Sequence, residues 1–379
     1  MITETRHVES PAVVGRLFMA LELGSTTWKI AFATTRGARP RVRQVQAGDL
    51  AGLRGEIARA KAQAGLPAGA PVSSCYEAGR EGFWLHRTLS EERIANVVVD
   101  PASIAVDRRA RRAKTDRLDA TALVIQLMNA AAGDRRGWRE VHVPSVQAEA
   151  DRHLQREWEA VRDDRTRVRN RIGGLLATHG VRLELTADFR QVLRDARGAA
   201  GAPLPSELVA RIERDWEQLQ YIEQRRTTLV RLRRERVAAD RRDAVALQTR
   251  KLAQLRGIGL NGAATLTTEL FAWRGFRNGR EIGAIVGLTP TPYRSDRCVR
   301  EQGISHSGNR RVRAVSIELA WCWLRWQPHS ALSRWFCERF GTHGRARRIG
   351  IVAVARKLLI ALWRYVETNT LPEGAQLKA

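Results

Sequence analysis

A mixed α/β domain followed by two mainly helical regions is the fold class the sequence predicts. Three observations carry that reading. Strand-type and helix-type patterns alternate from about Arg16 to Trp138. Long, charge-dense amphipathic runs replace them from Val146 to Gln248, and glycine-punctuated helical patterns continue from Lys251 onward. The boundaries that follow are 15–138, 146–248 and 251–379, a division that suits a chain of 379 residues.

Each element has its own signal. Arg16–Leu23 and Thr27–Ala33 are short apolar runs around Gly24-Ser25, which predicts two strands joined by a tight turn. Val42–Gln46 is a weaker third strand. Leu50–Ala64 has helical spacing, Pro71–Tyr76 reads as a strand, Arg80–Leu89 as a helix and Ile94–Val99 as a buried strand. Thr115–Asn129 follows as a helix. A three-strand meander, then strands alternating with helices, predicts a mixed sheet covered on both faces. That order suits an RNase-H-type fold. No G-x-G-x-x-G follows the first strand, so a nucleotide-binding Rossmann domain loses its main support.

In the second region Leu154, Trp158, Val161, Val168, Ile172 and Leu175 form one apolar seam, interrupted by Arg165. Val209, Ile212, Trp216, Leu219, Ile222 and Leu229 form another beyond the loop Gly198–Pro205. Two such helices predict an antiparallel hairpin or coiled-coil arm, either a dimerisation element or a self-contained insert. The third region reads as mostly helical, with one irregular polar segment from Thr289 to Arg311. Its stretch Ile349–Trp363 carries Arg356 and Lys357 in the middle, which marks a core helix and not a membrane span. Trp321, Trp323 and Trp326 could stack bases, but their helical context favours packing.

Charge narrows the function. Against 65 Lys+Arg stand 40 Asp+Glu, a net +25 that calls for a polyanionic partner, nucleic acid above all. Cys75, Cys298, Cys322 and Cys337 show no C-x-x-C spacing, so they read as reduced thiols of a cytoplasmic protein without structural zinc. No apolar run reaches membrane-spanning length and no secretion signal is evident.

Four acids stand out. Glu22 ends the first apolar strand, Glu77 follows the strand Pro71–Tyr76, and Asp116 and Asp119 share one face near a helix start. Together they could hold one or two Mg²⁺ ions of the kind that assist phosphoryl transfer. Singly, each could be a solvated strand end or a helix N-terminal acid. Next to the helical pair runs Arg108, Arg109, Arg111, Arg112, Lys114 and Arg117, either a solvated face or a phosphate clamp. Further on, Gly257-Ile258-Gly259 between two helical patterns is similar to a helix-hairpin-helix turn that grips a phosphate, although glycine also ends helices routinely.

The segments Ser74–Gly79, Val99-Asp100-Pro101 and Lys114–Ala120 resemble the DEDD transposases of the insertion sequence 110 family. The resemblance implies a RuvC-like N-terminal domain with Glu22, Glu77, Asp116 and Asp119 as its acids, Glu22 standing where the family usually has aspartate. Gly287–Pro290, Tyr293–Asp296 and Gly303–Arg313 look like the family's C-terminal transposase domain. Ser295 then falls on the nucleophilic serine, with Asp296 in place of the usual glycine. Arg294, Arg297, Arg310, Arg311 and Arg313 are available to neutralise charge, and Ser305 and Ser307 are the neighbouring decoys.

By that resemblance the chain is an Mg²⁺-assisted DNA recombinase acting on donor and target DNA. A structured noncoding RNA guides it, and it works as a homo-oligomer, dimer or tetramer, with no membrane partner. Two alternatives stay open: a metal-dependent Holliday-junction-type nuclease without a covalent intermediate, and a non-catalytic nucleic-acid-binding degenerate transposase.

Overall fold

The computed structural model describes residues 15–103, 116–239, 243–295, 298–341 and 344–378. They separate into two compact units, residues 1–143 and 144–379.

The first unit is mixed α/β. Its elements are β1 (Leu17–Leu23), β2 (Thr27–Ala33), β3 (Arg41–Gln46), α1 (Leu50–Gln63), β4 (Val72–Glu77), α2 (Trp84–Glu91), β5 (Ala95–Val99) and α3 (Asp116–Ala131). The strands form one sheet in the order β3-β2-β1-β4-β5. β1, β2 and β3 run antiparallel, while β4 and β5 join parallel to β1. Gly24 makes the β1–β2 turn possible, because a Cβ there would meet the Thr27 carbonyl at 2.5 Å.

Period-two alternation gives the sheet two different faces. Large residues such as Leu21, Trp28, Ile30 and Tyr76 face α1 and α2, where Leu53, Leu85 and Leu89 complete the core. The opposite face carries Ala20, Ala31, Ala33 and Cys75 beneath Ala120, Val124 and Leu127 of α3. Small side chains let that helix settle close to the strands. Cys75 Sγ lies 3.9 Å from the Leu123 carbonyl oxygen, and burial pushes its thiol pKa well up, so it behaves as an apolar core group.

The second unit opens with α4 (Val146–Ala177), α5 (Phe189–Asp195) and α6 (Ser206–Ala239). Ion pairs across the hairpin show that α4 and α6 are antiparallel. Arg171 meets Asp215 at 2.7 Å and Glu157 meets Arg225 at 2.7 Å, so partners ascend one helix as they descend the other. Arg165, which interrupts the seam, reaches across to Glu223. The short helix α5 was not evident in the sequence. Its Phe189 stacks on Trp216 with ring centroids 4.7 Å apart, and its Leu193 is fully buried.

The remaining elements are α7 (Ala244–Ala253), α8 (Leu260–Leu266), a π-helical turn at Thr267–Phe271, α9 (Gly279–Ile285), β6 (Pro290–Ser295), β7 (Cys298–Ile304), α10 (Arg310–Trp326), α11 (Ala331–Phe340) and α12 (Arg345–Thr368). Where the sequence reads as irregular, β6 and β7 pair as an antiparallel hairpin. Pro290 and Pro292 had masked the strand pattern, and the register shifts between them. Val354, Leu358 and Leu362 of α12 lie in the core with α10, and no helix among the described residues is long and apolar enough to cross a membrane. Of the three tryptophans, Trp323 is core, whereas Trp321 and Trp326 are exposed with Arg347 and Arg325 against their rings.

Candidate active site and nucleic-acid contacts

Glu22, second from the end of β1, and Glu77, the last residue of β4, lie on neighbouring parallel strands. The register pairs Ala20 with Cys75 and Leu21 with Tyr76, and its next step runs to Glu22 and Glu77. Two residues beyond Ala20 and Cys75, both acids belong to the sheet face that α3 covers. The direction of α3 follows from its far end. Asn129 Oδ1 accepts from Arg36 Nε at 3.2 Å and Nη2 at 2.8 Å, just beyond β2 and therefore beside the start of β1. The helix start, with Asp116 and Asp119, thus lies toward the strand ends that carry Glu22 and Glu77. Glu22 and Asp119 are half-buried and Glu77 is exposed. Asp116 begins α3, but its side chain lies outside the described residues, as does that of Arg117.

Carboxylate oxygens are the donors that hard cations such as Mg²⁺ take, so the residue types fit that ion. Among the described residues no three acidic, histidine or cysteine side chains close into a ready-made cage. Sequence reading also passed over Lys29, which stands opposite Glu22 in the β1–β2 pairing and donates its ammonium to Gln44. The basic residues Arg108, Arg109, Arg111, Arg112 and Lys114 lie outside the described residues.

In the second unit Gly257 and Gly259 behave differently. Gly257 has φ +82°, and a Cβ there would meet the Cys322 carbonyl at 3.1 Å, so it turns the chain tightly against α10. Gly259 precedes α8 with no atom within 4 Å of an added Cβ, which leaves its backbone approachable. The turn also holds the C-terminal segment: Lys378 Nζ donates to the Ile258 carbonyl at 2.7 Å, and Arg256 N to Gln376 O at 3.0 Å.

Ser295 is the last residue of β6 and pairs with Cys298 across the hairpin end. The side chains of Arg294 and Ser295, and all of Asp296 and Arg297, lie outside the described residues. At the hairpin base Ser305 Oγ and Ser307 Oγ are 3.1 Å apart, and Thr289 Oγ1 donates to Ser305 at 3.4 Å. Gly287 and Gly308 hold that base with φ of +67° and +79°; an added Cβ would meet Ser307 O at 2.1 Å and Ile285 O at 2.0 Å respectively. The arginines differ in availability. Arg310 is exposed, Arg311 pairs with Glu159, and Arg313 Nη1 donates to the carbonyls of Val286 at 3.0 Å and Ser307 at 3.1 Å.

A buried polar network missed by sequence reading ties α4 to this part of the chain. Gln155 Nε2 donates to Asn261 Oδ1 at 2.8 Å and Thr265 Oγ1 at 2.9 Å. Glu269 accepts from Arg156 at 2.6 and 3.0 Å and from Asn309 Nδ2 at 3.1 Å, and Asn309 is the N-cap of α10. Burial raises the Glu269 pKa, but the Arg156 hydrogen bonds and charge outweigh it, with help from Asn309 and Arg152, and the net shift is downward. The one sequence signal was polar residues standing on a buried stripe of α4.

Comparison with known proteins fits this arrangement. Residues 249–333, which run from within α7 to the start of α11, match the transposase IS116/IS110/IS902 family. A Sinorhizobium fredii protein named as the transposase y4rJ is 37% identical over 396 residues, covering 100% of both chains. A second from that organism, named as the transposase y4qE, is 28% identical over 68% of this chain and 60% of its own. A Pseudomonas aeruginosa protein named as a family 20 transposase is 27% identical over 63% of this chain and 70% of its own. With a relative that similar along its whole length, the chain belongs to the IS116/IS110/IS902 transposase family.

Proposed function

We propose that this chain is the transposase of an insertion sequence and cuts and rejoins donor and target DNA by serine attack on phosphodiesters. The observation that carries the reading is the placement of Glu22 and Glu77 one step beyond the Leu21–Tyr76 pair of adjacent parallel strands, on the face and toward the end where α3 begins with Asp116 and Asp119. The sheet order, a meander continued by two parallel strands, supports the RNase-H-type, RuvC-like assignment.

Glu22, Glu77, Asp116 and Asp119 hold Mg²⁺. When bound, that ion supplies charge neutralisation for the attacked phosphate. Ser295 Oγ forms the new bond to phosphorus as the bridging P–O bond of the strand breaks, and its proton passes to the departing oxygen. The phosphoserine ester keeps the bond energy until a hydroxyl of the new partner strand displaces the serine. Arg310, exposed at the start of α10, is the arginine best placed to meet DNA, since Arg311 and Arg313 are engaged internally. The Gly257–Gly259 turn offers backbone contact to phosphates at Gly259. A structured guide RNA selects the DNA, and the α4–α6 arm pairs subunits.

The test mixes the full-length protein with DNA of its element's ends and recovers any bound RNA for sequencing. A denaturation-resistant protein–DNA adduct that needs Mg²⁺ and disappears with chelator is the expected outcome. Cleavage without adduct would replace serine attack by attack of water, and no cleavage at all would leave only a binding protein.

A further inference from the structure

We propose that Arg152, Arg156 and Arg274, gathered around Trp273 in the second unit, bind one backbone phosphate of a nucleic acid. The inference rests on the transposase reading for the source of the phosphate, but not for the existence of the site. Glu269 is the carboxylate at the centre, 2% exposed, and Arg156 already occupies both its oxygens. Two more guanidinium groups share the same neighbourhood. Arg152 and Arg274 each place their Cζ 4.3 Å from the centroid of the Trp273 ring.

Their charges are only partly compensated: Glu269 acts on both Arg152 and Arg274, and Glu149 and Asp151 on Arg152, but the Glu269 oxygens are already held by Arg156. Arg152 is 8% exposed, and its buried Nε and Nη2 have no hydrogen-bond partner; the same holds for Nε of Arg274. Burial, with the Arg152 charge added, holds the Arg274 pKa down to about 10, so the group is still cationic at neutral pH. Burying more cations than one carboxylate neutralises is costly, and the face of one indole compensates only in part. The arrangement gathers three guanidinium groups around one carboxylate, a cationic excess that suits a further anion from outside the chain. Arg156, its side chain 41% exposed, and Arg274, half-buried, reach solvent and can make the contact. Arg152 lies deeper and adds its field from beneath. Planar guanidinium forks match the oxygens of a phosphodiester.

The test uses the full-length protein with Arg274→Gln and Arg152→Met, and with Arg211→Gln on the exposed face of α6 as a charge-matched control. Inorganic phosphate, added at constant ionic strength, should raise the Tm of the wild type and of Arg211→Gln but not of Arg274→Gln. On duplex DNA or structured RNA, Arg274→Gln should make the log–log salt slope shallower by about one unit, and Arg211→Gln should not. Arg152→Met should lose the same phosphate response while its own Tm in phosphate-free buffer stays level or rises. A wild type whose binding is salt-dependent, with both the slope and the phosphate response unchanged in Arg274→Gln, overturns the site and leaves the transposase reading standing. A phosphate response without any slope change overturns the nucleic-acid assignment. A wild type that binds neither nucleic acid overturns both.

Discussion

Glu22 stands directly across from Lys29 in the β1–β2 pairing, on the sheet face that α3 covers. Cross-strand acid–base pairs contribute about 0.2–1 kcal/mol, enough to compete with a cation for the carboxylate. Lys29→Gln should therefore lower the Mg²⁺ concentration needed for half-maximal DNA cleavage by about 2–5-fold. A Mg²⁺ titration reads this directly, and a shift toward higher Mg²⁺ would remove Glu22 from the metal site.

Asp119 sits one residue before Ala120, which is fully buried against the sheet, so its backbone is well fixed. Asp119→Asn keeps the shape and removes the charge. DNA cleavage should fall on the order of 100-fold or more, while nucleic-acid affinity stays nearly unchanged. Glu22→Asp should preserve or increase cleavage, since it shortens the ligand to the form the family usually carries. Normal cleavage by Asp119→Asn would count against the acid quartet.

Much of the first unit was legible because its strands are short apolar runs with clear ends. Leu17–Leu23 stops at Glu22-Leu23-Gly24, and every later strand in the sheet has a turn or helix signal beside it. The seams of α4 and α6 were legible for the same reason, a long periodic stripe. α5 was not, being only seven residues. Nor was the β6–β7 hairpin, whose prolines and arginines break the alternation that marks a strand. The candidate acids could be found by position, but the proposed nucleophile could not: Ser295 stands out only through the family resemblance. Least legible was the Arg156–Glu269 contact, which joins residues 113 apart and depends on packing that no local pattern encodes.

That contact predicts an acid-sensitive fold. The Glu269 pKa lies below its ordinary value of 4.5, so the stabilisation it provides is fully present above that value and is lost as pH falls through the lower folded-state value. Glu269→Gln should cost about 1–3 kcal/mol at pH 7 and progressively less at pH 4 and below. Thermal melts of both proteins from pH 7 to pH 3 measure the difference, and a constant gap across that range would contradict the pairing.

Strong salt dependence is expected from the charge of +25. Each phosphate contact on duplex DNA contributes about −0.9 to the slope of log affinity against log salt. Replacing Arg108, Arg109, Arg111 and Arg112 together by Gln should make the slope shallower by up to about 3–4 units. An unchanged slope assigns that run to a surface not used in binding.

Ser295 is the residue on which the recombinase reading depends. It closes β6 at the hairpin end, paired with Cys298, whereas Ser305 and Ser307 lie at the base and contact each other at 3.1 Å. The family motif puts the nucleophile's role on Ser295 and not on either of those two. Serines tied into a base shaped by Gly287 and Gly308 serve the fold instead. Attack by Oγ leaves a covalent phosphoserine that survives denaturation, whereas attack by water leaves none. Ser295→Ala should therefore bind DNA and RNA with wild-type affinity and form no adduct on gels run under denaturing conditions. Ser305→Ala and Ser307→Ala should still form it, with at most a modest loss of stability. Adduct formation by Ser295→Ala would move the nucleophile to another residue, and normal cleavage without an adduct in the wild type would leave the metal-bound acids to work with water alone.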